Sequence, residues 1–228
     1  YDGSRNTGAS SAGGVAPTMS KPIVIVGTAL LAEQMHYYFT GAAGRRVEAF
    51  AVDAEYRTQD TFCGRPVLEF GEALGRFGPD THELFIAIGF LATQARQRKF
   101  ELARSRGYTM PSYVHPSAWV AENVRIGANT LIQEQAVVSP FATLGDDVFL
   151  CPQVGINHHT RVGAHCFFAP AAVVAGDADI GEACFVGTNA TIRDRVRVGP
   201  RCVIGAGAVI MSEDRKSTRL NSSHSLPS

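Results

Sequence analysis

The stretch Arg125 to Gly163 falls into blocks of six: RIGANT, LIQEQA, VVSPFA, TLGDDV, FLCPQV, GINHHT and the start of a seventh, RVG. The second residue of each block is Ile126, Ile132, Val138, Leu144, Leu150, Ile156 or Val162. Outward from here the count runs unbroken from Val114 to Ile210, 17 positions among which only Phe168 is aromatic. A slower period overlies it, because Gly127, Gly145, Gly163, Gly181 and Gly199 stand 18 residues apart, each directly after an aliphatic residue. Such periods mark solenoids, in which each coil buries its apolar side against the next. Three sixes per coil predict a three-sided prism of short parallel strands.

With the aliphatic residue as phase zero, phase four is small nearly throughout, as at Ala136, Ala142, Thr160, Cys166, Ala172, Cys184 and Cys202. Both phases are expected inside. Strand alternation then puts phases three and five outside and leaves phases one and two to turn the corner. Pro116, Pro140, Pro152, Pro170 and Pro200 all stand at phase two, where a missing N–H breaks no ladder.

Phase five, read every 18 residues, gives three outer faces. One is Leu131, Phe149, Phe167, Phe185 and Val203; a second is mixed, with Trp119, Val137, Gly155, Val173, Thr191 and Val209; the third is polar, with Arg125, Thr143, Arg161, Asp179 and Arg197. An apolar strip of stacked aromatics exceeds what a monomer usually leaves in water. Two sticky sides and one wet side predict a homotrimer of prisms, with the aromatic strip in its seam.

The 228 residues carry 21 basic and 21 acidic side chains, so no basic field invites nucleic acid or an anionic membrane. No apolar run has the length of a membrane span, and a cytoplasmic location is expected. The five cysteines do not read as a disulfide framework: Cys166, Cys184 and Cys202 are core fillers one coil apart, and Cys151 is the only solenoid cysteine expected near the surface. Residues 1–18 and 214–228 read as tails foreign to the fold.

Residues 19–108 have another rhythm and are expected to form a Rossmann-like α/β domain, followed by the solenoid over 109–213. KPIVIVG (21–27) reads as a buried strand, 29–39 as a helix, 47–53 and 83–89 as strands, 93–107 as a charged amphipathic helix, and the segment before residue 83 as a loop. Ligands of such sheets lie beyond the carboxyl ends of the strands, here at Gly27, Thr28, Asp53, Gly89 and Phe90. The dinucleotide fingerprint fails, since Ala29 and Ala32 stand where glycines are needed.

His158 stands at corner phase two, between the mixed and polar faces, and Gly176 lies one coil above it. An imidazole about 5 Å along the axis from a backbone N–H that no side chain covers is a workable general base and oxyanion donor.

The hexapeptide run, the strand end IAIG (86–89), the joining segment SYVHPSA (112–118) and the strings INHHTRVG (156–163) and VVAGDADIGEACFVG (173–187) resemble the sugar acyltransferases of the sialic acid O-acetyltransferase and bacillosamine N-acetyltransferase type. The resemblance covers Met19 to about Ile210. It implies a left-handed parallel β-helix, His158 as the base that deprotonates a sugar amine or hydroxyl, and Gly176 as amide donor to the thioester of acetyl-CoA. It further implies a cofactor path along Gly187, Asn189, Gly205, Ala206 and Gly207, a nucleotide-linked sugar held by the first domain, and no metal.

Two positions depart from that family: His159 stands where a ring-orienting carboxylate is common, and Phe167 where a further histidine is frequent. Asp146 or Asp147 of a neighbouring subunit is therefore expected to supply the carboxylate. One rival reading is a zinc lyase of the γ-carbonic anhydrase kind using His158, His159 and His165, all expected to face outward. Another is a non-catalytic scaffold that binds sugar nucleotides.

Overall fold

A computed structural model describes residues 20–212 and, in addition, the backbone of Arg219–Leu220. The tails expected at 1–18 and 214–228 otherwise lie outside the described residues. The first half contains β1 (Ile23–Val26), α1 (Leu30–Thr40), β2 (Val47–Val52), β3 (Thr61–Phe62), β4 (Arg65–Glu69), α2 (Phe70–Arg76), β5 (Glu83–Ile86) and α3 (Thr93–Ser105). These strands form one sheet of order β3-β4-β2-β1-β5, parallel except for the β3–β4 pair. Strands β3 and β4 and helix α2 occupy the segment expected to be a loop. Cys63 (φ 47°) and Gly64 (φ 70°) make the two-residue hairpin turn there, and β4 is fixed by its pairing with β2, a non-local partner that local pattern does not reveal.

The sheet is buried on both sides, as continuous runs such as IVIV require. Val24, Val26, Ala49, Ala51, Leu84 and Ile86 pack against α2 and α3. Ile23, Ile25, Phe50 and Phe85 pack against α1 and also against Tyr113, Leu131 and Phe149 of the second half. Gly27 (φ 128°) lies so close to the end of β5 that a Cβ would sit 2.7 Å from the Ala87 carbonyl oxygen. No helix among the described residues is long and apolar enough to cross a membrane.

The second half is the expected three-sided solenoid, with 17 two-residue strands from Tyr113–Val114 to Val209–Ile210 stacked as three parallel sheets. Each strand pairs with the one 18 residues on, for example Phe149 with Phe167 and Ile156 with Val174. The phase-zero and phase-four residues form one continuous core. Arg219–Leu220 pairs with Val203–Ile204 and continues the aromatic sheet.

The corners differ from expectation by one residue. The turn occupies phases two and three, and phase three is left-handed at every coil from Asn129 (φ 55°) through His159 (φ 60°) to Gly207 (φ 68°). The phase-four N–H bonds back to the phase-one carbonyl, as from Thr160 to Asn157 at 3.3 Å. This is a type II turn, whose second residue has the φ of proline, which explains why the solenoid prolines stand at phase two. A non-glycine residue at positive φ costs energy, and the lattice offsets it: the same residue's N–H bonds the coil below, as from His159 to Pro140 and from Asp177 to His158. The 18-residue glycine ladder has a separate cause. At that corner the coils touch, so that a Cβ on Gly127, Gly145, Gly163 or Gly181 would lie 2.4 to 2.7 Å from backbone of the next coil.

The aromatic strip is not a subunit seam over its lower half. Leu131 and Phe149 are fully buried by the chain's own first half. Phe85 stacks on Phe149 at 6.1 Å between ring centroids, and Phe90 covers Phe167 and Phe185 at 5.3 and 4.4 Å. The mixed face stays open, with Trp119, Val137, Val173 and Val209 all exposed.

Candidate active site

His158 stands at the corner between the mixed and polar faces, exposed to solvent. The turn that carries it is pinned to the next coil: Asn157 Nδ2 donates to the Val174 carbonyl at 2.8 Å, and Thr160 Oγ1 to the Ala175 carbonyl at 3.0 Å. The imidazole lies flat against Gly176. A Cβ added there would meet His158 Cε1 at 2.5 Å and Nε2 at 2.6 Å, so only glycine leaves room for the ring. The Gly176 N–H has no protein acceptor among the described residues. His158 Nδ1 lies 3.2 Å from His159 Nδ1, and the His159 ring stacks on Phe141 with centroids 4.8 Å apart. A proton-accepting nitrogen and an unspent amide donor thus stand at one solvent-facing corner, as base-assisted attack on a carbonyl requires.

The structure places Asp146, Asp147 and His165 together, away from His158. They lie at the corner between the polar and aromatic faces and are engaged within the chain. Asp147 is fully buried and accepts from Arg96 Nε at 2.8 Å, from Asn129 Nδ2 at 2.7 Å and from His165 Nδ1 at 2.8 Å. His165 points out of the solenoid onto α3, edge-to-face with Phe100 at 5.4 Å, while its carbonyl accepts from Arg96 Nη2. Asp146 caps the Ala128 N–H and pairs with Arg104 at 2.9 Å. Asp147 is buried within the chain, and Asp146 is paired with Arg104 of the same chain. At this corner the phase-three side chains of Asp147 and His165 are buried against the docked first half.

The expected cofactor residues occupy the remaining corner, between the aromatic and mixed faces. Gly187 packs under the Ala206 amide, where a Cβ would meet nitrogen at 2.5 Å, and Gly207 N–H bonds the Thr188 carbonyl. Asn189 is exposed one residue beyond Thr188, and Gly205 begins the turn above. These residues share a corner with one another but not with His158 and Gly176, which lie across the mixed face.

Of the expected sugar-nucleotide positions, Gly89 lines a cavity of about 380 Å³ between α1 and the aromatic face, together with Leu31, Gln34, Gln133, Cys151 and Phe167. Gly27 and Thr28 lie just before α1 at the same end of the sheet. Asp53 pairs with Lys99 at 2.5 Å, and Phe90 belongs to the aromatic stack. The cavity's polar end is a chain of side chains: Gln133 donates to Gln34, Gln34 to the Tyr38 hydroxyl, and Tyr38 to Glu134 at 2.5 Å. Burial, with the Glu134 carboxylate second, pushes the Tyr38 phenol up, so it remains a donor.

Burial pushes the Cys151 thiol up to about 12, which removes it as a nucleophile at neutral pH. Cys166, Cys184 and Cys202 are buried fillers, the first two with Sγ 3.1 Å from the Gly181 and Gly199 carbonyls. Among the described residues no group of three or more His, Cys, Asp or Glu is placed to hold a metal ion, and His165 Nδ1 is bonded to Asp147.

Reasoning from sequence missed Arg96, Asn129 and Phe141. Arg96 had a signal, because it shares the buried stripe of α3 with Phe100 and Ala103, where a lone arginine must find a buried partner. Asn129 carried none: its side chain bonds both the N–H and the carbonyl of Ile86, completing the open edge of β5 from the solenoid.

The fold is shared with proteins of known structure. Residues 177–212 match the family model "Bacterial transferase hexapeptide (six repeats)". The chain is similar to PerB from Caulobacter crescentus, solved with CoA and GDP-perosamine, at 28% identity and TM-score 0.76 over 84% of this chain and 89% of that one. It is likewise similar to the acetyltransferase domain of PglB from Neisseria gonorrhoeae, solved with acetyl coenzyme A, at 26% identity and TM-score 0.76 over 85% and 92%. WeeI from Acinetobacter baumannii shares the fold at 20% identity and TM-score 0.61, over 85% of this chain and 93% of that one. No curated protein sequence matches. The resemblance read from the hexapeptide run and the INHHTRVG string is thereby borne out.

Proposed function

We propose that this chain transfers an acetyl group from acetyl-CoA to the amine of a nucleotide-linked amino sugar. The observation that carries the reading is the His158 imidazole packed on Gly176 at a solvent-facing corner. The sugar amine attacks the thioester carbonyl as His158 Nε2 takes its proton, and the Gly176 N–H steadies the oxygen that gains charge. Collapse forms the amide C–N bond and breaks the C–S bond. The proton held on Nε2 then leaves with the thiolate as free CoA. No enzyme-bound acyl group is needed, in keeping with the unreactive Cys151 thiol.

Nitrogen rather than oxygen as acceptor rests on the relatives, one of which is a perosamine N-acetyltransferase solved with CoA and GDP-perosamine. The nucleotide is assigned to the cavity beside Gly89, with Gln34 and Gln133 as base-reading amides. Support comes from the sheet: chain connections diverge on either side of β1, and the cavity lies at the carboxyl ends of β1 and β5, where ligands of Rossmann-like domains bind. A left-handed helical sense, the division at residue 109, the cofactor path along Gly187, Asn189 and Gly205–Gly207, and a cytoplasmic location belong to the same reading. So does a homotrimer closed on the mixed face, which would bring the Gly205 corner of one copy toward the His158 corner of another.

The test is a panel of nucleotide-linked amino sugars with acetyl-CoA, followed by free thiol release. His158→Ala should lower kcat by about 10²- to 10⁴-fold while the assembly stays intact. Undiminished turnover in that variant would refute the reading.

A further inference from the structure

The proposed mechanism needs a lone pair on His158 Nε2, and that demand falls on the other ring nitrogen. Nε2 is the nearer of the two ring nitrogens to a Cβ built on Gly176, at 2.6 against 3.0 Å; Nδ1 faces His159 Nδ1 at 3.2 Å, with the two rings nearly perpendicular at 82°. Two imidazole nitrogens at that distance share one proton, so one donates and the other accepts. If His158 Nδ1 donates, its Nε2 is free to act as base, and His159 must be the tautomer protonated at Nε2.

We infer that His159 is a positioning residue that sets the His158 tautomer as a neutral acceptor, and that Phe141 holds it in place. This inference rests on the acetyltransferase reading. Phe141 is a large, exposed aromatic at positive φ, one coil below His159, and its ring stacks on the His159 ring at 29°. The pinned turn leaves His159 little other freedom, since its own N–H bonds the Pro140 carbonyl.

Charged groups on the surrounding coils do not take over the task. Asp177, one coil above His159, faces Arg195 at 4.0 Å, and Asp194, above Gly176, is bonded by Arg193. Arg161 on the following strand is bonded to Asp179, and Glu122 lies two coils below His158. Among the described residues none of these bonds either imidazole.

An imidazole acceptor differs from a carboxylate in one measurable way. When His159 takes a proton, its Nδ1 becomes a donor, His158 Nδ1 must accept, and the His158 proton moves to Nε2, where it blocks the base. His159→Asn keeps an amide oxygen able to accept from His158 Nδ1, whereas His159→Ala offers no partner. Asparagine suits the left-handed position, as Asn129 and Asn189 show.

The experiment combines kinetics with nitrogen NMR on histidine-labelled full-length protein. At neutral pH, His158 should be protonated on Nδ1 and His159 on Nε2. His159→Asn should keep kcat within about tenfold of the native value, whereas His159→Ala should lose roughly 10²-fold in kcat with little change in KM. Phe141→Ala should fall between them and let the His158 tautomers mix. A His159→Asn no more active than His159→Ala, or a native His158 protonated on Nε2, would overturn the inference. If the expected tautomers appear but no acceptor in the panel is acetylated, the activity reading has failed and the tautomer assignment stands.

Discussion

Two faces of the solenoid look alike in sequence and have opposite fates. The aromatic face, Leu131 through Val203, and the mixed face, Trp119 through Val209, both place large apolar side chains outward. On the first, Phe149 is fully buried beneath Phe85 and the Arg96 guanidinium, which lies 4.4 Å from its ring centroid. On the second, Trp119 is 56% and Val209 58% exposed. Phase within a repeat says which side chains point away from the solenoid axis; it is silent on what comes to cover them. The chain's own first half covers the lower part of one face, and the other stays exposed.

That contrast can be broken at its polar anchor. Asp147→Ala leaves Arg96 as a buried charge without its counter-ion and should cost about 3–5 kcal/mol. Asp146→Ala, at the same corner, loses an exposed pair and one capping bond and should cost roughly 1–2 kcal/mol. Equal urea midpoints for the two variants would show that the buried latch does not hold the halves together.

The covered face offers the next test. Phe149→Ala should cost about 3–5 kcal/mol through the cavity it leaves, whereas Val137→Asp on the open face should leave the fold's circular dichroism unchanged and dissociate the assembly. A native protein that sediments as a monomer at micromolar concentration would remove the assigned role of the mixed face.

A smaller structural change has a sharp functional readout. Gly176→Ala places a methyl 2.5 Å from the His158 ring; the exposed imidazole can swing away, so stability should change little and turnover should collapse. Retained activity would show that the ring does not work against that amide.

The smallest effect concerns Cys151, beneath the aromatic face. With its thiol pushed up to about 12, its thiolate fraction at pH 8 is roughly 10³-fold below that of an ordinary cysteine, and alkylation should be slowed to match. Above pH 9 the unfolded chain loses this proton while the folded chain keeps it, so the thiol's contribution to stability falls as pH rises through that range. Rapid alkylation at pH 8 would place Cys151 outside the cavity wall.

Much of the solenoid was legible residue by residue. The sixfold aliphatic count gave the strands their register, and the prolines at phase two marked the turns. The step from His158 to Gly176 needed only the 18-residue coil. The turn was misplaced by one position because alternation says nothing about φ: Asp147, His159 and His165 are left-handed, which no side-chain pattern announces. Strands β3 and β4 were missed because β4 is fixed by its pairing with β2, and the partners of Asp147 and Asp146, Arg96 and Arg104, were not legible because both come from the docked first half.

Repetition is a one-dimensional property, and whatever depends on stacking one coil on the next was present in the chain itself: the three faces, the core, the glycine ladder and the imidazole under a bare amide. Docking of the first half is a three-dimensional event between segments with no shared period. Only the tertiary structure decided that Phe149 is core, that Arg96 and Asp147 form a buried latch, and that His159 meets His158 nitrogen to nitrogen, because each depends on side-chain direction and on distances between residues that the period does not link.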